Sequence, residues 1–254
     1  MPLELLLLAL AALFAGFVDA VAGGGGLVQL PALLAVYPDA PVATLFGTNK
    51  GASVWGTAAA AAQYARRVRL PWHCLLGALP AALIGAWWGA KTVSLVPTPW
   101  LRPTIVVALI AVGVYTLRRR DLGLTQAPRW TGARESLAGV ALGATLGFYD
   151  GVFGPGTGTF LVFLLVRGFG YDFLHAAAGA KLINVATNLA ALTFFIGAGH
   201  ILWPVACVMA LANVAGALLG SRAALRGGAP LVRVVFLVVV SLLVVKMVAD
   251  WWLR

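Results

Sequence analysis

Two lysines stand where lysines are costly. Lys50 and Lys181 each lie inside an apolar stretch long enough to cross a bilayer, and a lysine at the centre of such a helix costs about 2.5–3.5 kcal/mol on insertion scales. Two chemistries can offset that cost. One is an intramembrane ion pair with Asp19 or Asp150; the other is an anion site in which each ammonium supplies positive charge near the membrane midplane. Polar neighbours favour the anion site: Thr48, Asn49 and Ser53 surround the first lysine, and Asn184, Thr187 and Asn188 the second. Lys181, Asn184 and Asn188 share one helical face at i, i+3 and i+7. A polar seam that packs helices together would look similar.

Each lysine accompanies a glycine-rich interruption of an earlier apolar segment, Gly23 to Gly26 in one half and Gly154-Pro155-Gly156-Thr157-Gly158 in the other. Backbone that leaves the helix at membrane depth survives only where protein or a watery cavity satisfies it. A half-helix restarting there aims unpaired N–H groups and a positive dipole end at the cavity. Gly24, Gly25, Gly26 and Gln29, with Gly156, Thr157, Gly158 and Thr159, are therefore candidate anion ligands beside the lysines and asparagines. Asp19 and Asp150 precede the breaks; they could pair with the lysines, cap half-helices or carry the protons of a coupled mechanism. Gly85, Gly89, Gly216 and Gly220 have small-xxx-small spacing and read as helix-packing contacts.

The elements that position these residues follow from composition. The 254 residues are 61% hydrophobic and only 10% charged, against about a quarter charged in soluble proteins. A multi-span α-helical membrane protein fits. A soluble enzyme, a disulfide scaffold and a disordered tail do not. The net charge of +10 resides in short loops such as Arg66, Arg67 and Arg69, which makes it a topology signal and excludes nucleic acid as a partner. Cys74 and Cys207 have no disulfide or zinc spacing, and His73, His175 and His200 match no metal motif. No nucleotide loop, nucleophile elbow or catalytic carboxylate pair occurs. The reading is therefore a non-enzyme without cofactor or metal. The N-terminal leucine run carries Glu4 and no basic residue, so it is expected to be retained rather than cleaved as a signal peptide.

The chain is one unit written twice. Shifted by 131 residues, Gly16 to Arg102 aligns without a gap on Gly147 to Arg233, with twenty of 87 positions identical. The matched pairs include Asp19 with Asp150, Lys50 with Lys181 and Trp72 with Trp203. In each repeat a broken segment comes first, Leu3 to Val18 then Leu27 to Val36, and Leu137 to Phe148 then Phe160 to Val166. Three longer segments follow: Val42 to Tyr64, Leu70 to Ala90 and Ile105 to Leu117, then His175 to Ile196, Trp203 to Leu219 and Val234 to Val248. If each broken segment crosses once, loop Lys and Arg divide 10 against 6; if each folds back as a hairpin of half-helices, they divide 12 against 4. The positive-inside rule favours the hairpin, hence inverted repeats with both chain ends on the outer face. The expected organisation is a first transmembrane repeat over 1–120, a cytoplasmic basic linker over 121–136 and a second repeat over 137–254.

Gly16-Phe17-Val18-Asp19 with Gly23 to Gly26 and Pro31, Gly47-Thr48-Asn49-Lys50, Gly147-Phe148-Tyr149-Asp150-Gly151 with the second glycine cluster, and Lys181-x-x-Asn184 together resemble the TauE/SafE family of sulfite exporters and related permeases. The resemblance covers nearly the whole chain. It implies a bacterial cytoplasmic-membrane transporter of anions, with sulfite, thiosulfate and organosulfonates as associated substrates, and it gives weight to both glycine clusters. The expected function is a secondary transporter of a small sulfur-containing anion by alternating access. A negative-inside potential favours anion exit by about 2.3 kcal/mol per charge per 100 mV, so export is the cheaper direction. The expected partners are the anion, the bilayer and a possible second copy of the chain; the rival readings are a non-transporting accessory subunit and an anion channel.

Overall fold

A computed structural model describes residues 2–92 and 122–252 of the chain. Within them the protein is all helical and polytopic: Leu3–Ala22, Trp72–Thr92, Phe173–Gly197 and Trp203–Leu242 are each long and apolar enough to cross a membrane. The expected segment Ile105 to Leu117, with Arg102, Arg118 to Arg120 and Arg254, lies outside the described residues. Helices α1 (Pro2–Ala22), α2 (Gly26–Val36), α3 (Val42–Ala65) and α4 (Trp72–Thr92) precede that gap. After it come α5 (Gly132–Val152), α6 (Thr157–Leu164, extended by a π turn over Leu165–Phe169), α7 (Phe173–Gly197) and α8 (Trp203–Trp252).

The helices are longer than apolarity alone predicts. α1 runs through Asp19 to Ala22, because one aspartate does not end a helix and the glycine run begins only at Gly23. α5 likewise starts at Gly132, inside the expected linker, and reaches Val152. The two segments expected after Trp203 form one helical stretch, α8, interrupted only at Gly228, whose φ of 62° and ψ of −164° are not helical. Arg222 and Arg226 are good helix formers that carry the helix beyond the apolar run, and Pro230 restarts it after the kink.

Contacts fix the directions of the helices. Leu8 of α1, Leu33 of α2, Leu45 of α3 and Val205 of α8 share one cluster, so α2 returns to the end of the bundle from which α1 set out. α3 then runs beside α8, from Gly47 against His200 to Gln63 on Ser221. At the opposite end α4 and α5 start together, with Ser136 Oγ donating to His73 O at 2.7 Å, and α6 returns there, where the Tyr171 hydroxyl meets Glu135. The hairpins α1–α2 and α5–α6 therefore open at opposite ends of the bundle. They are also unequal, in contrast to the expected pair of half-helices. α1 reaches far enough for its Ala20 carbonyl to accept from Tyr64 near the end of α3, at 2.9 Å, so only the return arms are half-helices.

Glycine lets these helices touch backbone to backbone. Gly85 on α4 lies against Ala144 and Phe148 of α5, and its repeat mate Gly216 on α8 lies against Leu13 and Phe17 of α1, the repeat mates of those two residues. Gly89 on Phe148 and Gly220 on Phe17 repeat the arrangement. The first helix of each half thus packs along the fourth helix of the other, with the same 131-residue offset. A Cβ at any of these positions would overlap a backbone carbonyl.

Gly85→Ala and Gly216→Ala should each destabilise the protein by about 1–3 kcal/mol through overpacking, and to similar extents; thermal unfolding in detergent measures both. A second expectation concerns Asp172, which caps α7 by accepting from the His175 backbone N–H at 2.8 Å and contacts His175 Nδ1 at 2.8 Å. Burial alone would raise its carboxyl, but the hydrogen bonds from His175 prevail and hold it below the ordinary carboxylate range. A lowered folded-state value stabilises above the unfolded value and is lost as pH falls through the folded one. Asp172→Ala should cost about 0.5–2 kcal/mol at neutral pH, and its deficit relative to the parent should shrink once the pH drops below about 4.

Candidate functional site

Lys50 and Lys181 are 5% and 0% exposed, and each has a carboxylate partner from the other half of the chain. Lys50 Nζ on α3 lies 2.5 Å from Asp150 Oδ2 on α5, and Lys181 Nζ on α7 lies 2.8 Å from Asp19 Oδ2 on α1. The 131-residue offset converts one pair into the other. Gly47, Gly51 and Gly56 on α3 permit this depth by letting α3 settle on the α7–α8 connection and on α8. Both pairs are crossed ties between the repeats, and in each the lysine charge is balanced by the aspartate.

Equal in sequence, the pairs differ in surroundings. Asp19 Oδ2 lies 3.4 Å from the Thr57 hydroxyl and its Oδ1 3.4 Å from the Gly25 N–H, both at the long edge of hydrogen bonding. Asp150 Oδ2, by contrast, accepts from Lys50 Nζ.

The glycine breaks lie between the pairs. Gly23 and its repeat mate Gly154 have φ of 79° and 81°, in the left-handed region where other residues are strained. Gly23 also abuts the backbone of Gly158 and Thr159, leaving no space for a Cβ where the two breaks meet. Neither α2, with Gly25 at its N-cap, nor α6, with left-handed Gly156, has a side-chain cap. Both helix starts thus turn uncapped backbone toward one place. The second break is further held by Tyr149, whose hydroxyl donates to Pro155 O at 2.7 Å and whose ring packs on Phe153 and Phe160. The corresponding residues of the first half are Val18, Ala22 and Gln29.

These features enclose a polar cavity of about 40 Å³, where one water occupies roughly 10–15 Å³ on the same measure. Of the residues singled out in the sequence, Lys50, Asn49, Ser53, Asn184 and Asn188 line it, as do Gly24, Gly25 and Gly26 with Gly156, Thr157 and Gly158. Asp19 and Asp150 also face it. Four others lie outside its lining. Lys181 is sequestered on Asp19. Thr48 donates to Thr44 O at 2.7 Å and accepts the Leu202 N–H at 3.0 Å, tying α3 to the start of α8. Gln29 is fully buried and accepts from Ser53 Oγ at 3.0 Å, and Thr159 is fully buried on α6.

Sequence reasoning did not place Thr57, Gly154 and Asn213 among the ligands, yet they line the cavity. Thr57 was within reach, being the repeat mate of Asn188. Asn213 is matched by Ala82 and sits within an apolar run, so neither signal marks it. Its amide donates to Ala12 O at 3.1 Å and pins α8 to α1.

The family model described as "Sulfite exporter TauE/SafE" matches residues 8–247. The chain is 37% identical to "Probable membrane transporter protein ORF9" of Sinorhizobium sp, over 94% of this chain and 90% of that one. It is 33% identical to "Probable membrane transporter protein" of Haemophilus influenzae, covering 93% and 91% of the two chains. It is also 33% identical to "Probable membrane transporter protein YfcA" of Escherichia coli strain K12, covering 98% and 91%. No solved structure matches the chain.

The crossed pairs generate a stability prediction. Removing one partner of a buried pair strands the other charge and costs about 3–5 kcal/mol, whereas removing both is far less damaging. Lys181→Met alone should sharply lower the thermal stability of the detergent-purified protein, and Lys181→Met with Asp19→Asn should recover most of the loss. Equal instability of the single and double variants would show that the Lys181–Asp19 contact is not what the fold depends on.

Proposed function

Because the chain belongs to the TauE/SafE family, we propose that this membrane transporter carries a small sulfur-containing anion, such as sulfite, thiosulfate or an organosulfonate, out across the bacterial inner membrane. The observation that supports this reading is the convergence of two uncapped half-helix starts, a lysine and four asparagines on one cavity. Helix N-termini favour negative charge without bringing in a mobile counterion. Amide side chains add donors of fixed geometry. In this reading Lys50 and the N-termini of α2 and α6 hold the anion, while Asn49, Ser53, Asn184 and Asn188 orient it.

Alternating access fits the layout. The two hairpins open at opposite ends of the bundle and meet at Gly23 and Gly158, with the cavity beside that contact. Rocking one half against the other would expose the cavity first to one side and then to the other. A cavity of about 40 Å³ suits a carrier that binds one small ion better than a wide pore. In the bilayer, the end bearing Arg66, Arg67, Arg69, Arg129 and Arg134 would face the cytoplasm, giving inverted repeats. A dianion leaving the cell would then gain about 4.6 kcal/mol per 100 mV of inside-negative potential.

The test is efflux of labelled thiosulfate, sulfite and sulfoacetate from proteoliposomes. Saturable flux of at least one is expected. Lys50→Ala should raise its half-saturation concentration by about 10- to 100-fold, the loss of one charge-assisted hydrogen bond. Flux that rises linearly with concentration would favour a channel, and no flux under any gradient would favour a non-transporting accessory subunit. Normal half-saturation in Lys50→Ala would remove Lys50 from the site.

A further inference from the structure

The charges at the cavity and directly behind it sum to a constraint on what can enter it. Two lysines and two aspartates cancel, so an anion arriving in this buried centre adds a negative charge that no residue balances. The helix N-termini offset part of it. The rest falls away if one carboxylate gains a proton as the anion arrives, because the freed ammonium can then turn to the anion. The two carboxylates are not equally suited to that exchange. Asp19 has Lys181 at 2.8 Å, with the Thr57 hydroxyl and the Gly25 N–H at 3.4 Å. Its lysine is fully buried and outside the cavity lining. Asp150 is held by Lys50, and both line the cavity.

We infer that Asp150 is the binding site of a co-transported proton, taken up with each anion, and that the Lys181–Asp19 pair stays intact throughout as the fixed tie between the repeats. This rests on the anion-transport reading above. A proton from the aqueous side adds to the Asp150 carboxylate. Lys50 keeps its own protons and exchanges that carboxylate for the anion. At the other side anion and proton leave together, and the Lys50–Asp150 pair re-forms. A dianion accompanied by one proton still moves one negative charge, so the membrane potential continues to favour its exit.

The groups that could disturb this proton are few. α3 presents Lys50, α1 presents Asp19, α7 presents Lys181 on the far side of Asp19, and α5 itself carries Tyr149, which is engaged with Pro155 O. α4 packs on α5 through Ala86 and Gly89, and its Lys91 stands over the Trp87 and Trp88 rings. On the side of the second glycine break the pair faces Gly154, where an added Cβ would lie 3.4 Å from Lys50 Nζ and 3.6 Å from Asp150 Oδ1.

Thiosulfate is the probe, because its charge does not change near neutral pH. In proteoliposomes with a trapped pH dye, thiosulfate flux through the parent protein should carry protons in the same direction. Its affinity for the purified protein should rise by up to tenfold per unit drop in pH, the limit for one linked proton. Asp150→Asn should abolish both the proton flux and the pH slope while still binding thiosulfate, which shows that the variant is folded. Asp19→Asn should retain the pH slope in whatever fraction remains folded. An unchanged slope in Asp150→Asn, or loss of the slope in Asp19→Asn instead, would overturn the assignment. So would thiosulfate flux through the parent without proton movement. Absence of thiosulfate binding and flux in the parent would instead overturn the anion reading on which this one stands.

Discussion

A buried ammonium needs a counter-charge, and in this protein each counter-charge comes from the other half of the chain. Lys50 reaches Asp150 and Lys181 reaches Asp19, so neither half can bury its own lysine without the other. A tie of this kind is both a stabiliser and a specification: it fixes how the halves sit together, since any sliding would separate up to four charges from their partners in a largely buried centre. The rest of the centre is arranged around that requirement. The glycine breaks lie beside the pairs, and the half-helices begin where the charges already cancel.

Bringing the pairs within 3 Å demands close helices, and glycine supplies the closeness. In a membrane the hydrophobic effect does not draw apolar helices together, so contact must come from packing and polar ties. Gly85 and Gly89 of α4 packed against α5, and Gly216 and Gly220 of α8 packed against α1, place backbone directly on backbone. That brings α1 and α5 against the fourth helix of the opposite half, and Asp19 and Asp150 ride on those two helices. Packing and electrostatics thus act on the same elements: the ladder sets the distance, and the ion pairs set the register.

Much of this was legible in the sequence because it depends on residue types that rarely occur by chance in an apolar chain. Lys50, Lys181, Asp19 and Asp150 stood out by their cost, the glycine clusters by their density, and the repeat by matching both. The four packing glycines were readable from spacing alone. The crossed connection of the pairs was not, since a sequence repeat states which residues correspond and not which half each will meet. Helix ends were also hidden: α1 continues past Asp19 and α8 past Arg222, because helical hydrogen bonding tolerates polar residues that a hydropathy window excludes. Asn213 escaped for the opposite reason, a lone amide in an apolar run that acquires meaning only once α8 lies between α1 and α3.

The two halves share their charges but not their neutral lining, and that difference bears on how such a centre would work. Asn49 is matched by Ala180, Asn213 by Ala82 and Gln29 by Phe160, while the aromatic brace of Tyr149 and Phe153 is matched by Val18 and Ala22. Asn49 Oδ1, which is buried at the cavity, has no hydrogen-bond partner among the described residues, and neither has Gln29 Nε2 behind it. A buried amide group left unpaired costs about 1–3 kcal/mol, which at Asn49 Oδ1 a hydrogen-bond donor bound in the cavity would return. In the alternating-access reading proposed above, the shared backbone and charges are what would let the two halves exchange roles. On that reading the unshared amides and aromatics would make the two arrangements unequal in energy and orient the bound anion. A ligand that pairs with the amides of one half therefore shifts the balance between the states by its difference in affinity for them. If the centre works as proposed, charge balance would set which ions can enter, and the asymmetry of the neutral residues would set how their entry is coupled to movement.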